Sequence, residues 1–439
     1  MGISIAIDGY AGSGKSTLAK QLAQKLGYVY LDTGALYRAI TLKIIATKGI
    51  EYVEKLCAEK DIKKILRGTS ISIEQRTEGN KVLLDGKNVS ESIREPYISN
   101  FVSKIAAFPA VRKFLLTIQR SIARAHDCVM DGRDIGTAVL PHANYKFFVS
   151  AHINTRAQRR WLELSEKKIP ISLEEVKKNL EERDIHDTSR SANPLRKAKN
   201  AVFIDSTHLT PETQLRVVLD VIARKKWESS NKIYNIYKSI LKTFYTLVCR
   251  IEFYYEDYKV IESFSGLIVS NHISNLDPPA AGFGFPFQIN FLAKSSLRSS
   301  ILNPCNLILI DRDNPTPGTI KDVLQAVSEG QSVLLFPEGT RSPDGSIGTA
   351  KSGAGLIAHK AEKPIIPVYI EGTNHVLPKG AKFPRFHKVR VGYGKPYMTA
   401  IKEQKGTKSR ELYQQISEEM LDRIRDVQYK LENNLLTKK

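Results

Sequence analysis

The sequence predicts two consecutive α/β domains in one chain of 439 residues. This length suggests two or three domains rather than one. Near the start, the apolar run 3–7 (ISIAI) is followed by a glycine-rich loop and a helix-forming segment, which is the order that opens a parallel sheet flanked by helices. After residue 260, apolar strand-like runs again alternate with helical segments, so a second α/β unit is expected.

Composition limits the function classes. The chain is 42% hydrophobic and 26% charged, which is typical of a globular protein. Its formal net charge of +20 favours anionic partners such as nucleotides, phosphorylated lipids, an acidic membrane face or an acidic carrier protein. The basic residues are dispersed and no known nucleic-acid module is present, so nucleic acid is not an expected partner.

The cysteines and the chain start predict a cytoplasmic location. The four cysteines are widely separated and form no CxxC pair, which indicates a reducing compartment. The start, MGISIAIDGY, lacks the basic and apolar regions of a secretory signal. No run of 18 apolar residues occurs, so no transmembrane helix is expected.

The first domain is predicted over residues 1–226. After the first strand we expect a helix over 15–26 and a strand over 28–32. Turn residues at 78–80 and 85–86 predict a small antiparallel insertion over 71–90. The remaining expected elements are strands over 128–132, 146–151 and 201–207, a charged helical stretch over 156–190 and a closing helix over 211–228.

A different segment follows, and we assign 227–259 to an amphipathic linker helix. Over 232–255, apolar and aromatic residues recur at helical spacing, and lysines and Arg250 occupy the opposite face. Such a helix can lie in a bilayer interface or pack on the second domain, and the pattern alone leaves both interpretations open. The domain boundary is placed at 226–232.

The second domain is predicted over 260–439. Its expected strands lie at 267–271, 306–312, 332–339 and 364–370, with helical segments between them at 319–329 and 352–361.

Residues 9–16 (GYAGSGKS) satisfy the phosphate-loop pattern G-x-x-x-x-G-K-[ST], between a predicted strand and a predicted helix. Its glycines allow backbone N–H groups to point at phosphate oxygens, and the helix N-terminus adds its dipole. Lys15 is expected to neutralise the transferring phosphoryl group, and Ser16 to reach Mg²⁺ directly or through water. The predicted ATP phosphate-binding residues are Gly9, Gly12, Ser13, Gly14, Lys15, Ser16 and Thr17.

Further stretches identify the acceptor. LDTGALYR (31–38), VSKIAAFPAVR (102–112), DGRDIGT (131–137) and ERDIHDTSR (182–190) resemble bacterial cytidylate kinases, in the family's order and over nearly all of 1–226. DGKNVSESIR (85–94) and IDST (204–207) also match. The resemblance implies a nucleoside monophosphate kinase fold with a small insertion and a lid.

The resemblance also assigns roles to individual residues. Ser103, Arg112 and Asp134 are expected to read the cytosine edge, Asp187 to hold the ribose, and Arg38, Arg133 and Arg190 to grip the acceptor phosphate. Arg133 and Asp134, with Lys15, are the expected catalytic residues. Thr33 stands where the family often has Ser, and His186 where some members have Arg. Arg156, Arg159 and Arg183 are placed on the donor side or lid, although Arg156 and Arg159, like Arg160, also fit a solvated helix face.

In the second domain, His272 and Asp277 form a candidate general base and its orienting carboxylate. On a continuous helix five residues turn roughly 500°, so these two side chains would not face each other. Pro278 disfavours the α conformation at Asp277, which suits the N-cap of a helix beginning at Pro278. A turn of this kind lets the carboxylate fold back to the imidazole. A His-Asp pair alone is also compatible with a structural role.

NHISNLD (271–277), LILIDR (307–312), FPEGTRS (336–342) and IIPVYI (365–370) together resemble the four blocks of the glycerolipid acyltransferases, with 1-acylglycerol-3-phosphate acyltransferases as the most similar group. The resemblance spans roughly 260–400. It implies that His272 takes a proton and Asp277 orients it, and that Glu338 is a third catalytic residue, which lines the acceptor site. The implied acceptor-binding residues are Lys294, Arg312, Gly339, Thr340 and Arg341.

The sequence therefore predicts a bifunctional enzyme. One half would phosphorylate CMP or dCMP with ATP and Mg²⁺, and the other would transfer an acyl group from a thioester to lysophosphatidate without a cofactor. The thioester carrier is coenzyme A or acyl carrier protein, and peripheral contact with the inner face of the cell membrane is expected. Two alternatives remain: a first half that only senses nucleotides, and a different glycerolipid acceptor.

Overall fold

The computed structural model describes residues 2–55, 58–74, 81–167, 169–190, 193–230, 232–294, 307–310, 317–378, 381, 383–401 and 409–439. The chain folds into two compact units, Met1–Leu215 and Arg216–Lys439.

The first unit contains a parallel sheet flanked by helices. Within the described ranges the strand order is β2-β6-β1-β7-β8, and every pairing is parallel. β1 is almost fully buried, as expected for a central strand of a parallel sheet. These strands confirm the predicted ones: β1 (Ser4–Gly9), β2 (Val29–Asp32), β6 (Cys128–Gly132), β7 (Tyr145–Ser150) and β8 (Val202–Asp205).

The predicted antiparallel insertion is confirmed by β3 (Ile71–Glu74), β4 (Lys81–Leu84) and β5 (Lys87–Asn88). Asp85 and Gly86, at φ 52° and 79°, form the tight turn between β4 and β5. The predicted turn at 78–80 lies outside the described residues.

The helices of the first unit begin and end at residues suited to those positions. Gly27, at φ 70°, closes the first helix, and Ser172 and Glu175 form a reciprocal cap at the start of α8. The helices are α1 (Lys15–Leu26), α2 (Thr33–Lys48), α3 (Ile50–Lys55), α4 (Glu59–Arg67), α5 (Pro96–Ala106), α6 (Pro109–Ala125), α7 (Ile153–Glu166) and α8 (Leu173–Ser189), with short turns at Ser92–Arg94 and Ile135–Val139. The stretch predicted as helical over 156–190 is therefore two helices, because Pro170 between them cannot continue one.

The second unit contains a mixed sheet. Within its described part the strand order is β12-β11-β13-β10-β14-β15-β9-β16, parallel from β12 to β14 and antiparallel between β14 and β15. The strands are β9 (Glu252–Tyr255), β10 (Leu267–Ser270), β11 (Ile289–Lys294), β12 (Leu307–Ile310), β13 (Ser332–Leu335), β14 (Ile365–Glu371), β15 (Arg390–Tyr393) and β16 (Thr437–Lys438).

Both faces of this sheet are covered. In β10, Ile268 packs into an aromatic core with Phe285 and Tyr393, whereas Leu267 and Val269 pack into a second core with the last helix. This alternation follows the two-residue period of a strand. The helices are the remainder of α9 (Pro211–Ser230), whose first residues belong to the first unit, and α10 (Lys232–Val248), α11 (Tyr258–Glu262), α12 (Asp277–Phe283), α13 (Pro317–Ser328), α14 (Ser352–Ala361), α15 (Thr373–Val376) and α16 (Ser409–Glu432).

The structure differs from the predicted division of the chain. The two units separate inside α9, between Leu215 and Arg216, rather than at 226. The whole segment assigned to the linker, 227–259, lies within the second unit. β9 pairs there with β15, and buried Tyr245 on α10 donates a hydrogen bond to the carbonyl of Leu276 at 2.8 Å. Tertiary packing that a linear pattern does not show explains this difference.

The described part of α10 both packs on the second unit and exposes apolar side chains. Leu241, Phe244 and Val248 pack on the aromatic core, while Ile240 and Leu247 point away from it and are exposed. In the part of the chain that the structure describes, no helix has the length and apolar character needed to cross a membrane.

Candidate active sites

The phosphate loop joins the carboxyl end of β1 to the first turn of α1. Gly12 and Gly14 adopt φ values of 73° and 82°, in the left-handed region that favours glycine. At Gly9, a Cβ atom would lie 2.0 Å from the carbonyl oxygen of Val149, so only glycine fits there. Ser13 Oγ donates to the carbonyl of Tyr10 at 2.9 Å. The predicted strand, loop and helix are confirmed.

Lys15, the first residue of α1, is buried, and its Nζ donates to the carbonyl of Tyr10 at 3.3 Å. Burial, followed by the charge of Arg133, lowers the pKa of Lys15 to about 7. A bound phosphate would supply the negative charge that favours the protonated amine. The geometry thus fits a lysine that becomes fully charged when an anion binds.

A carboxylate not assigned by the sequence stands beside Ser16. Ser16 Oγ donates to Asp131 Oδ2 at 2.6 Å, and Tyr30 donates to Asp131 Oδ1 at 2.9 Å. Asp131 is paired in register with Asp32 on the neighbouring strand, and burial and then the charge of Asp32 raise its pKa. A hydroxyl and carboxylates at the ends of adjacent strands are the hard oxygen ligands that Mg²⁺ prefers, so Ser16 and Asp131 fit the ion that accompanies ATP.

A cavity of about 290 Å³ opens beside Lys15 and Ser16. It is lined by every residue predicted to bind CMP: Thr33, Arg38, Ser103, Arg112, Arg133, Asp134, Asp187 and Arg190. Arg183 and His186 of α8 also line it, which brings the predicted lid to the same space. Tyr37 is a lining residue that the sequence did not single out.

Ion pairs connect the charged groups of this cavity. Arg112 is paired with Asp134, and Arg133 Nε donates to Asp187 Oδ2 at 2.7 Å. Arg190 lies 3.8 Å from a carboxylate oxygen of each aspartate. Burial acts to raise the pKa of Asp187, but the charge of Arg133 and its hydrogen bond outweigh burial and hold that pKa below its usual value. Arginines arranged in this way can grip a phosphate with forked hydrogen bonds.

Two of the arginines predicted on the donor side have partners within the protein. Arg156 is buried, donates to the carbonyls of Ala151 and Ala11 at 3.0 and 3.2 Å, and pairs with Asp184 at 2.7 Å. Arg159 donates to the carbonyl of Ser206 at 2.7 Å. These contacts fix the loop and helix around the phosphate site, so the geometry gives both arginines a positioning role.

In the second unit, the turn between β10 and α12 brings His272 and Asp277 together. His272 Nδ1 lies 2.9 Å from Asp277 Oδ2, and His272 is 5% exposed. The predicted fold-back is confirmed, but the predicted capping is shifted by one residue. Leu276 occupies the N-cap and Asp277 the first helical position, because the carboxylate caps the preceding turn instead of the helix.

The Asp277 carboxylate is fully buried and accepts several hydrogen bonds. Its Oδ2 accepts from the backbone N–H groups of Ile273 and Ser274, each at 2.6 Å, and its Oδ1 accepts from Thr373 Oγ1 at 2.5 Å. These donors fix the carboxylate plane and hence the orientation of the imidazole. With Nδ1 held by Asp277, Nε2 is the nitrogen that can exchange a proton with a substrate.

The FPEGTRS loop supports the same histidine. The ring of Phe336 stacks on the imidazole with 4.0 Å between centroids and a 19° interplanar angle. Buried Glu338 accepts from the backbone N–H of His272 at 2.9 Å and from that of Gly348 at 2.8 Å. Glu338 was predicted as catalytic, whereas these contacts are those of a positioning group.

The predicted acceptor-binding residues are only partly brought together. Gly339 adopts φ 67°, and exposed Thr340 and Arg341 follow it on the loop after β13. The side chain of Lys351 lies beside Gly339, where a Cβ atom would be 2.9 Å from Lys351 Cδ. Lys294 ends β11, and Arg312 lies outside the described residues.

Comparisons with known proteins identify the families of the two domains. Residues 5–224 match the family model described as cytidylate kinase, and residues 252–371 match the model described as acyltransferase. The cytidylate kinase of Carboxydothermus hydrogenoformans is 46% identical over 221 residues, which cover 97% of that protein and 50% of this chain. The cytidylate kinase of Caldanaerobacter subterraneus is 45% identical over 222 residues, which cover 95% of that protein and 51% of this chain.

The solved structure of the 1-acyl-sn-glycerophosphate acyltransferase PlsC from Thermotoga maritima is 25% identical, over 48% of this chain and 87% of that chain, with a TM-score of 0.36. The two family resemblances predicted from sequence are confirmed by the two model matches. The chain belongs to the cytidylate kinase family and joins its kinase domain to an acyltransferase domain.

Proposed function

We propose that the kinase unit phosphorylates CMP and dCMP with ATP, and that the second unit acylates the sn-2 hydroxyl of 1-acylglycerol-3-phosphate to give phosphatidate. The acyl donor would be a thioester of coenzyme A or acyl carrier protein. The proposed location is the cytoplasm, with peripheral contact at the inner face of the cell membrane.

The kinase proposal is supported by the single cavity that joins the phosphate loop to every predicted CMP-binding residue. A phosphate oxygen of CMP attacks the γ-phosphorus of ATP, the new P–O bond forms, and ADP leaves. In this proposal Lys15, Arg133 and Arg190 neutralise charge on the transferring group and the acceptor phosphate. Mg²⁺, held by Ser16 and Asp131, would neutralise charge on the donor phosphates when bound.

The acyltransferase proposal is carried by one observation, the buried 2.9 Å contact between His272 and Asp277 beside a loop that bears Arg341. Nε2 of His272 takes the proton of the substrate hydroxyl, and the oxygen attacks the thioester carbonyl. The C–O bond forms, the C–S bond breaks, and the imidazolium returns its proton to the thiolate. Asp277 stabilises the charged imidazole during these steps. Arg341 and Lys351 are the proposed partners of the acceptor phosphate.

A screen of acceptors and donors with the full chain tests this assignment. Lysophosphatidate, glycerol-3-phosphate and other lysophospholipids would each be offered with acyl-coenzyme A and acyl carrier protein, with His272→Ala as the control. We expect turnover with lysophosphatidate that is lost in the variant. Preference for another acceptor would change the substrate, and turnover that survives His272→Ala would remove the mechanism.

The alternative, a first unit that senses nucleotides without turnover, is tested by phosphoryl transfer from ATP to CMP. We expect turnover that is lost in Lys15→Ala. Tight binding of both nucleotides without turnover would instead favour the sensing role.

A further inference from the structure

Two phenylalanines project from the segment between α15 and β15. Phe383 and Phe386 are each 80% exposed, more than any other large hydrophobic residue in the described part of the chain. Single exposed apolar residues are ordinary on protein surfaces. Two aromatic side chains at this exposure, three positions apart, form a local apolar surface. We call residues 383–388 the aromatic loop.

The aromatic loop is basic. Residues 377–389 include no Asp or Glu, whereas exposed Arg385 and Lys388 alternate with the phenylalanines. Lys388 pairs with Glu252 at 2.8 Å. Aromatic rings interleaved with basic groups suit the boundary between headgroups and acyl chains, where rings enter the apolar layer and cations meet anionic headgroups.

The loop is attached to the fold on both sides. The backbone N–H of Arg385 donates to the carbonyl of Val376 at 2.7 Å. The next residue after the loop, Val389, is fully buried and its N–H donates to the carbonyl of Cys249 at 2.9 Å. The backbone that carries the two exposed phenylalanines is therefore held in place by hydrogen bonds.

The contact with Cys249 places the loop beside the end of α10, which presents a second exposed apolar row. Ile240 and Leu247 are 63% and 67% exposed, and their seven-residue spacing puts them on one face of the helix. Exposed Lys242 and Arg250 flank this row. Two amphipathic elements thus meet at one edge of the second unit.

α10 contacts the catalytic turn directly, and the aromatic loop is joined to that turn through α15, whose last residue, Val376, accepts from Arg385. Tyr245 of α10 donates to the carbonyl of Leu276, next to Asp277, at 2.8 Å. Thr373, which begins the short helix before the aromatic loop, donates to Asp277 itself at 2.5 Å. A surface formed by these elements would lie close to His272. The acceptor hydroxyl, which lies near the headgroup level of its lipid, must reach this histidine.

We propose that the aromatic loop and the exposed face of α10 form one lipid-docking surface, which inserts Phe383 and Phe386 into the headgroup region of an anionic bilayer. The choice of a bilayer over a protein partner rests on the proposed function, because the acceptor of that reaction resides in the membrane. The surface then delivers the acceptor to His272 without extraction of the lipid into water.

Partition of the full chain onto vesicles tests this surface. With vesicles of phosphatidylcholine and phosphatidylglycerol, we expect Phe383→Ser/Phe386→Ser to weaken partition by at least about tenfold, since both rings lose their apolar burial. Arg385→Gln should weaken partition less, and only where phosphatidylglycerol is present. The matched control is Tyr429→Ser/Leu435→Ser, which removes apolar residues that are 61% and 63% exposed elsewhere on the unit and should leave partition unchanged.

Activity supplies a second readout. The phenylalanine variant should lose acyl transfer to vesicle-embedded lysophosphatidate but keep it with a dissolved short-chain lysophosphatidate. Unchanged partition, or the same loss in the control, would overturn the proposal, as would an aromatic loop that binds acidic acyl carrier protein and not vesicles. If the loop binds vesicles but no acceptor is acylated, the proposed function fails while the docking surface stands.

Discussion

Replacing Thr373 with Val removes one hydrogen bond to the catalytic carboxylate and preserves the shape of the side chain. Thr373 Oγ1 donates to Asp277 Oδ1 at 2.5 Å, and both residues are fully buried. A hydrogen bond to a charged group contributes about 1.5–3 kcal/mol, and the isosteric methyl leaves Oδ1 without this donor. For a unit of this size, 1 kcal/mol corresponds to about 2–4 °C, so we expect the unfolding midpoint of the second unit to fall by about 3–12 °C.

Activity distinguishes orientation from stability in this variant. Below its unfolding temperature, Thr373→Val should lower kcat for acyl transfer about tenfold with little change in KM, because the carboxylate that orients His272 can rotate. Thr373→Ser keeps the donor and should restore kcat, and phosphoryl transfer should be unchanged in both variants. A Val variant with wild-type kcat, or a Ser variant as impaired as Val, would refute the positioning role of Thr373.

Three predictions concern the kinase unit. Lys15→Met should abolish phosphoryl transfer yet raise the unfolding midpoint of the nucleotide-free protein near neutral pH, whereas Lys20→Met on the same helix should not. The reason is that the pKa of Lys15, lowered to about 7, lies below its unfolded value of 10.5. Between these two pKa values the unfolded state therefore binds more protons than the folded state. The destabilisation of the folded protein by Lys15 consequently shrinks as pH rises through this window. Asp131→Asn should raise the Mg²⁺ concentration that gives half-maximal activity at least about tenfold, measured by Mg²⁺ titration at saturating ATP. An unchanged Mg²⁺ requirement would exclude Asp131 from the ion site. Arg112→Lys should raise the KM for CMP about tenfold more than the KM for ATP, because a lysine cannot both pair with Asp134 and donate to the carbonyl of Ala106 as the guanidinium does. Equal effects on both KM values would contradict base reading by Arg112.

The features that could be predicted from the sequence are those encoded locally. The phosphate loop lies within one strand-loop-helix segment, and Pro278 indicated the turn that brings Asp277 back to His272. The separation of the strands by helical segments likewise predicted both α/β units. These elements could be predicted because the residues that form them are neighbours along the chain.

The features that sequence reasoning missed depend on distant contacts. Thr373 reaches Asp277 from 96 positions away, and Asp131 reaches Ser16 from 115 positions away. Asp131 begins the DGRDIGT stretch, but that stretch does not indicate its contact with Ser16, and no sequence signal pointed to Thr373. The roles of Glu338 and Arg156 were predicted from the chemistry of their side chains. Their hydrogen bonds to backbone groups indicate positioning roles instead, and these bonds are visible only in the folded structure.

That one chain carries two separate active sites is tested by assaying both reactions in the same preparations of the full chain. We expect Lys15→Ala to abolish CMP phosphorylation and leave acyl transfer to lysophosphatidate intact. We expect His272→Ala to do the reverse. Loss of both reactions through either substitution in a folded protein, or wild-type acyl transfer by His272→Ala, would show that the two reactions do not have these separate sites.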